Sequence, residues 1–546
     1  MINITIIYNS DVIIEFKYNK TIVEKVKELP IKVYMPNEKC WWIPLHLLDD
    51  FIDSIRGFPY VVKQINLAEN KELAETFKFK TEPFKHQIEG FEYGKNRERF
   101  LLGDEQGLGK TKQSIDIAVY KKLLYNFKHC LVIVGVKTLI YNWGREIKLH
   151  SNEDFHILGE YKNKKDKVIS GGTTYKITDL DDIDNLPYFL ITNVESIRNK
   201  EISNKLIELI DTSEIGMIIF DEFHKVKNAQ SQQGAALLKL KPITRIAMTG
   251  TPLLNNPLEL FPVLNWLDIE RHSFYQFRAH YAELGNFKQI LRYKNLDELN
   301  KILTSVMLRR KKKDVLDLPP KLYTTEYLEM GKEQTAIYEE VKEEIVKNID
   351  KIELTNNPLT ELIRLRQATG FTGILSTTVR ESIKYDRVME IVEDVVSNDG
   401  KLILYSQWVE ILKPLYRVLE NEGYNPALII GGVDKQAQEM KYKEDDTCNV
   451  LLGTIGSLGT GLTFTNTNTI VFLDEPWNRP TKEQAEDRAH RIGTTGTVNI
   501  ITLVNRNTID ERITEIIYQK GLLSDSIVDS QMEKLDRGSL LRYLLG

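Results

Sequence analysis

The sequence predicts an α/β protein of two lobes, each a parallel sheet flanked by helices, with helical insertions and a small α+β module at the N-terminal end. Three observations predict it. Short apolar runs recur in two series separated by polar stretches of helical spacing, the pattern of parallel sheets covered on both faces. A glycine-rich stretch, Asp104-Glu105-Gln106-Gly107-Leu108-Gly109-Lys110-Thr111, follows the first run and opens a helical segment. At 546 residues, 42% hydrophobic and 28% charged, the chain is globular in composition and too long for one core, with about three or four domains at ~150 residues each.

The elements follow in order. Residues 1–80 are the accessory module: Ile2 to Phe16 is rich in β-branched residues, Thr21 to Leu29 has helical spacing, Cys40 to Pro44 is an aromatic strand-like piece, and Leu45 to Ile55 is again helical. The first lobe, 81–310, has strand runs at Phe100–Gly103, Cys130–Val134, Tyr188–Thr192, Met217–Phe220 and Arg245–Met248, then a helical insertion from Leu253 to Leu303. An inter-lobe segment and helical protrusion occupies 311–383, where Ile337, Val341 and Ile345 share one helix face at the spacing of core packing. The second lobe, 384–523, has runs at Lys401–Tyr405, Ala427–Ile430, Val450–Gly453, Thr469–Leu473 and Asn499–Val504. Residues 524–546 read as a helical tail or brace.

Composition removes several classes. A net charge of −5 argues against a histone-like binder while leaving room for a local basic groove. Cys40, Cys130 and Cys448 are far apart and form no C-x-x-C pair, so neither a zinc ribbon nor a disulfide framework follows, and a reducing compartment is expected. No apolar run reaches the ~18 residues a membrane helix needs. The first apolar stretch lacks a basic segment before it and is interrupted by Asp11, so no signal peptide is expected.

The chemistry starts at the loop 104–111. Its glycines let backbone N–H groups approach phosphate oxygens, Lys110 neutralises the outer phosphates, and the Thr111 hydroxyl can hold Mg²⁺. Asp104 stands where the strict pattern G-x-x-x-x-G-K-[ST] has its first glycine; Gly107 and Gly109 supply the close approach. Asp221-Glu222-Phe223-His224 follows a buried strand run, and a carboxylate leaving such a strand lies beside the phosphate loop in a doubly wound sheet. Asp221 can then position Mg²⁺, while Glu222 orients and deprotonates water. Met248-Thr249-Gly250-Thr251-Pro252 suits a linker that senses the nucleotide. Far downstream, Arg488 and Arg491 are spaced to share one face of a helix. Arginines from a second domain stabilise transition-state charge when domains close.

In the loop, the acid tetrad and the sensor stretch, with the run Asp474 to Ile492 that holds both arginines, the chain resembles the superfamily II helicase-type ATPases. More narrowly it resembles the Swi/Snf family of double-stranded DNA translocases, whose loop reads D-E-x-G-L-G-K-T. Met307 to Val315, with Leu318-Pro319-Pro320-Lys321, matches that family's inter-lobe segment. Trp477-Asn478, followed by Gln484-Ala485 and Asp487 to Gly493, is its most specific signature. The match runs from about Phe84 to Ile517. Thr494 and Arg479 depart from the family's Gln and Pro.

The resemblance implies RecA-like lobes, ATP and Mg²⁺ as cofactors, and a DNA-dependent ATPase that translocates on double-stranded DNA and remodels protein–DNA complexes or branched DNA. It carries catalysis onto Lys110, Asp221, Glu222, Arg488 and Arg491, and metal binding onto Thr111 and Asp221. Nucleotide binding falls on Gln87, as the adenine-reading glutamine, and on Gly107, Leu108, Gly109, Lys110, Thr111 and Gly461. A DNA path is implied along Thr192 and Asn193, Ser406 and Gln407, and Thr454, Ser457 and Gly459, with Lys137, Trp143 and Trp477 as further candidates. Backbone contacts without base reading predict little sequence preference. The run Arg309–Lys313 takes a lobe-bridging or phosphate-facing role.

Trp41-Trp42-Ile43-Pro44-Leu45 looks similar to the HARP-type modules of annealing helicases, and the same pattern fits ordinary core packing. Two other activities remain open: an RNA helicase, since D-E-F-H resembles the D-E-A-H tetrad, and an ATP-gated scaffold that clamps DNA without turnover. The expected partners are double-stranded or branched DNA and a targeting protein, for a monomer in a cytoplasmic rather than nuclear setting, without a membrane.

Overall fold

The computed structural model describes residues 1–515 apart from 8–10, 30, 37, 66–68, 138, 163–167, 171–177, 251–255, 286–289, 349–361, 459–461, 477–478, 492 and 495. The expected tail at 524–546 therefore lies outside the described residues. The chain divides into two compact units, Met1–Val315 and Leu316–Gly546.

In the first unit, the β-branched N-terminal runs form a five-stranded sheet in the order Val33–Met35, Cys40–Pro44, Asp11–Phe16, Ile2–Ile7, Tyr60–Ile65. Its pairings are antiparallel except the last, which is parallel. The helix Lys20–Glu28 is capped by the Asn19 side chain and buries Ile22 and Val26. Strand Tyr60–Ile65 escaped the sequence reading because Tyr60, Val61 and Val62 are all exposed, leaving no alternation to find. This sheet and the next lobe share one apolar core that includes Ile4, Val12, Trp42, Leu101 and Leu264. Trp42 is buried and its Nε1 donates to Asp11 at 2.7 Å. Asp11 also accepts from Arg99 and Arg271, and the Arg271 guanidinium lies 3.9 Å from the Trp42 ring centroid.

The lobe beyond it holds seven parallel strands in the order Met307–Leu308, Arg99–Leu102, Thr244–Met248, Ile215–Asp221, His129–Val134, Phe189–Asn193, Phe155–Ile157. His129–Val134 and Ile215–Asp221 are buried at every position, which is why they read as continuous apolar runs. The five expected strands are present; the two short edge strands were not expected. The helical insertion includes Phe261–Trp266, Phe274–Tyr281 and Leu296–Val306, together with an unforeseen hairpin, Ala282–Leu284 with Ile290–Tyr293.

The second unit is a six-stranded parallel sheet in the order Lys321–Leu328, Val498–Asn505, Thr469–Phe472, Leu402–Ser406, Val450–Thr454, Ala427–Ile429. All five expected strands are there. Lys321–Leu328, which the sequence assigns to the inter-lobe segment, is the edge strand of this sheet; Leu322, Tyr323 and Tyr327 are exposed, so it lacks the apolar signature of its neighbours. In the protrusion, Val341 and Ile345 are buried against Leu362, Leu365, Ile509 and Ile513, as their spacing predicts, with Tyr338 in the same cluster and Ile337 half-buried.

Candidate active site

The sheet order of the first unit sets three strand ends side by side: Arg99–Leu102, Thr244–Met248 and Ile215–Asp221. Each releases one of the motifs found in the sequence. The loop after Leu102 turns through Gly107 and Gly109, at φ 83° and 72°, a region glycine enters without steric cost. Gly109 then starts the helix Lys110–Tyr125, so the free N–H groups of its first turn face the loop. Lys110 Nζ donates to the loop carbonyls of Asp104 and Glu105, at 2.7 and 3.3 Å.

Asp104 is fully buried in a position where the strict loop pattern has no side chain. Its carboxylate accepts from the Arg310 backbone N–H and Nε, each at 3.0 Å, from Arg310 Nη2, and from Gln113 Nε2 at 3.2 Å. Arg310 also donates to Gln113 Oε1 and to the His86 carbonyl. The strand Met307–Leu308 brings it there by pairing with Leu101 and Leu102. Its neighbours follow the loop too: Glu105 N–H donates to the Arg310 carbonyl, Lys312 N–H to Glu105 Oε2, and Arg309 Nη1 to the Gly103 carbonyl. The basic run thus begins as a brace on the phosphate loop within the first unit. Gly90 makes room for it, since a Cβ there would collide with Gln113 Oε1 and Arg310 Nη2.

Gln87 is buried against the same loop. Its Oε1 accepts from Phe84 N–H at 3.1 Å and its Nε2 donates to the Leu108 carbonyl at 3.4 Å. His86 Nε2 lies 3.0 Å from that carbonyl, and burial lowers the His86 pKa.

Asp221 ends its strand buried, accepting from Trp143 Nε1 at 2.8 Å and from Glu222 N–H at 2.9 Å. Burial and the adjacent Glu222 carboxylate push its pKa up to about 6, against the pull of the Trp143 bond and Lys110. Trp143, which the resemblance placed along a DNA path, is fully buried and orients this carboxylate instead. Glu222 sits at φ 55°, a conformation a non-glycine residue holds only when its surroundings enforce it. Its Oε2 is 3.1 Å from His224 Nδ1, which is 3.3 Å from Thr249 Oγ1. Acid pair and sensor stretch are therefore joined by one polar chain. Thr251 lies outside the described residues. The Thr111 hydroxyl and Asp221 carboxylate are hard oxygen donors of the kind Mg²⁺ takes.

In the second unit, the helix Arg479–Glu486 stops before the arginine pair. Arg488 and Arg491 stand in the turns that follow, not on a helix face as their spacing suggested. Both reach the same neighbouring segment: Arg488 Nη1 donates to the Leu462 carbonyl at 3.1 Å and Arg491 Nη1 to Thr463 Oγ1 at 2.6 Å. Lys321 fastens this turn, with Nζ 2.9 Å from Glu486 Oε2 and 3.0 Å from Asp487 Oδ1, and His490 Nε2 lies 2.7 Å from the Pro319 carbonyl. The segment 318–321 thus latches the arginine turn, a role the sequence did not disclose.

Two expected DNA contacts are corrected. Thr192 is 2% exposed and Ser406 fully buried; Ser406 Oγ donates to Asp474 Oδ2. The Ser406 hydroxyl supports its neighbours, and Thr192 is too buried to meet DNA with its side chain. Asn193 accepts from Glu195 N–H and Ser196 N–H, and Gln407 Nε2 donates to the Glu475 carbonyl. Thr454 Oγ1 accepts from Ser457 N–H. Lys137 is exposed ahead of the helix Leu139–His150. Gly459, Gly461 and Trp477 lie outside the described residues. Among the described residues no helix is long and apolar enough to cross a membrane.

Comparison with known proteins adds the following. A family model described as the SNF2-related domain matches residues 86–371, and one described as the helicase conserved C-terminal domain matches 383–493. An uncharacterized ATP-dependent helicase of Mycoplasma pneumoniae is 25% identical over 81% of this chain and 42% of its own length. The DNA annealing helicase and endonuclease ZRANB3 of Bos taurus is 27% identical over 85% of this chain and 42% of its own. A solved SWI2/SNF2 ATPase core of Sulfolobus solfataricus in complex with dsDNA matches at 25% identity over 86% of this chain and 98% of that one, with a TM-score of 0.38. The chain spans half or less of the length of the curated relatives it matches.

Proposed function

The chain belongs to the SNF2-related domain family, and on that premise we propose that it is an ATP-hydrolysing motor that translocates on double-stranded DNA and remodels protein–DNA complexes or branched DNA. One observation carries the reading: the phosphate loop, Asp221–Glu222 and Thr249 emerge from three neighbouring strand ends, with Glu222, His224 and Thr249 in one polar chain. That arrangement supports transfer of a terminal phosphoryl group to water. The loop N–H groups and Lys110 hold the phosphates, Glu222 orients the water and takes its proton, and Thr249 senses the phosphate through His224. Gln87 faces the adenine. Thr111 and Asp221 would hold Mg²⁺, which neutralises phosphate charge when bound. Arg488 and Arg491 stabilise the charge that develops in the transition state.

Asn193, Gln407, Thr454, Ser457, Gly459, Lys137 and Trp477 remain the proposed DNA-facing positions, and Gly461 the proposed nucleotide contact of the second unit. A relative named as a DNA annealing helicase supports branched DNA as a substrate. We place the motor in a cytoplasmic, non-nuclear setting as a monomer, directed to its target by a partner protein.

The test is steady-state ATP hydrolysis with duplex, forked and single-stranded DNA and with RNA. Duplex DNA raises turnover, and Lys110→Ala abolishes it. Turnover indifferent to DNA overturns the proposal. Stimulation by RNA alone favours an RNA helicase, and DNA binding without turnover favours a scaffold.

A further inference from the structure

In the second unit, the helix Lys435–Glu444 carries three lysines, and each finds a different partner. Lys443 Nζ pairs with Glu439 Oε1 at 2.7 Å. Lys441 Nζ donates at 2.8 Å to the carbonyl of Pro426, just ahead of the strand Ala427–Ile429. Lys435 Nζ donates at 3.4 Å to the Ser457 carbonyl, beyond the opposite end of the sheet. Lys435 is half-buried, and no carboxylate pairs with it among the described residues; burial alone lowers its pKa. An ammonium group has three donors. One long bond to a carbonyl leaves this partly desolvated charge without a counter-charge.

The surface beside this ammonium is open and made of backbone. Strands Ala427–Ile429 and Val450–Thr454 are parallel neighbours, with Ile429 opposite Gly453, so the turns that leave them lie side by side. Gly431–Gly432 belongs to one turn and Gly456–Ser457 to the other. The three glycines are exposed, and a Cβ added to any of them would meet nothing within 4 Å. Gly432 sits at φ 85°, where glycine enters without steric cost. Both turns lie at the carboxyl ends of parallel strands, where α/β sheets receive ligands. The carboxylate next to Lys435, Asp434, is spent on the N–H groups of Gln436 and Ala437.

We infer that Lys435, flanked by the turns Gly431–Gly432 and Gly456–Ser457, is a binding site for one backbone phosphate of duplex DNA. The inference rests on the duplex-DNA reading above and adds a contact on the second unit. A phosphate supplies the counter-charge that the chain withholds, through a charge-assisted hydrogen bond. The bare glycines let a polymer backbone approach with no side chain in its way. An exposed shelf of this kind suits a polymer held elsewhere as well, whereas a small ligand needs a concave pocket. Phosphates are alike at every base pair, so the contact adds affinity without sequence preference.

The experiment titrates the full chain against two fluorescent DNA duplexes of unrelated sequence, by anisotropy, over a series of sodium chloride concentrations. Lys435→Gln should bind both duplexes roughly tenfold more weakly at about 0.1 M salt, and the slope of log affinity against log salt should fall by about one. Lys435→Arg should keep the slope. Lys441→Gln removes the same charge from the same helix at the far end of the sheet, and it too should keep the slope. Thermal melting establishes that each variant is folded. A slope unchanged by Lys435→Gln, or lowered as much by Lys441→Gln, overturns the inference and leaves the duplex-DNA reading standing. A loss seen with an RNA duplex but not with DNA overturns the choice of partner. Failure of the wild-type chain to bind duplex DNA overturns the reading and the inference together.

Discussion

Arg310 donates to both carboxylate oxygens of Asp104, through its backbone N–H, Nε and Nη2. This explains how a carboxylate is tolerated where the strict phosphate-loop pattern has glycine: a bidentate guanidinium neutralises it in the buried interior. The same strand end supplies N–H and carbonyl partners to Glu105. The shape of the loop is therefore set by residues some two hundred positions downstream, at the point where the chain leaves the first unit.

Arg310→Met strands a buried carboxylate. The expected cost is about 3–5 kcal/mol of stability, read as a lower melting temperature, with weaker ATP binding. Adding Asp104→Gly removes the stranded charge and restores most of both. Equal losses in the single and double variants would show that the pair does not act as described.

Trp143→Phe tests the buried indole. The folded-state pKa of Asp221, about 6, lies above the usual 3.8. The folded state therefore holds this proton more tightly, and the stability it contributes is present in full below about pH 4 and lost as pH rises through 6. Activity runs the other way, because the ionised carboxylate forms above 6. Removing the Trp143 N–H disfavours that ionised form, so the acid limb of the ATPase profile moves to higher pH while the plateau at alkaline pH survives. An unmoved limb contradicts the role.

Glu222→Gln retains shape and loses the base. Hydrolysis should fall by about 10²–10⁴-fold with ATP affinity little changed, measured by single-turnover kinetics and nucleotide titration. A loss confined to affinity would remove Glu222 from the chemical step.

Lys321→Met breaks the latch on Glu486 and Asp487. Glu486 is 1% exposed, so losing the cation costs about 3–5 kcal/mol and lowers the melting temperature. Because Arg488 follows directly, kcat should fall more than ATP affinity. A variant that melts and turns over like the parent would dismiss the latch.

Much of this was legible in the sequence. Continuous apolar runs such as His129–Val134 announce strands buried on both faces, and loop, acid pair and arginines announce themselves by residue type. Lys321–Leu328 and Tyr60–Ile65 did not, because an edge strand with exposed positions carries no such run. Nor did the direction of side chains at strand ends: Thr192 and Ser406 have suitable hydroxyls, but a strand turns alternate side chains to opposite faces, and both are buried. Trp143 and Arg310 were visible as residues but not as partners of Asp221 and Asp104, since sequence distance hides spatial pairing. The helical spacing of Arg488 and Arg491 was sound arithmetic applied beyond Glu486, where the helix ends.

Displacement of a third strand from a triplex reports ATP-driven movement along duplex DNA. The wild-type chain should release the third strand on addition of ATP, Glu222→Gln should release none, and the underlying duplex should stay paired. Retention of the third strand under conditions where duplex DNA stimulates hydrolysis would contradict such movement.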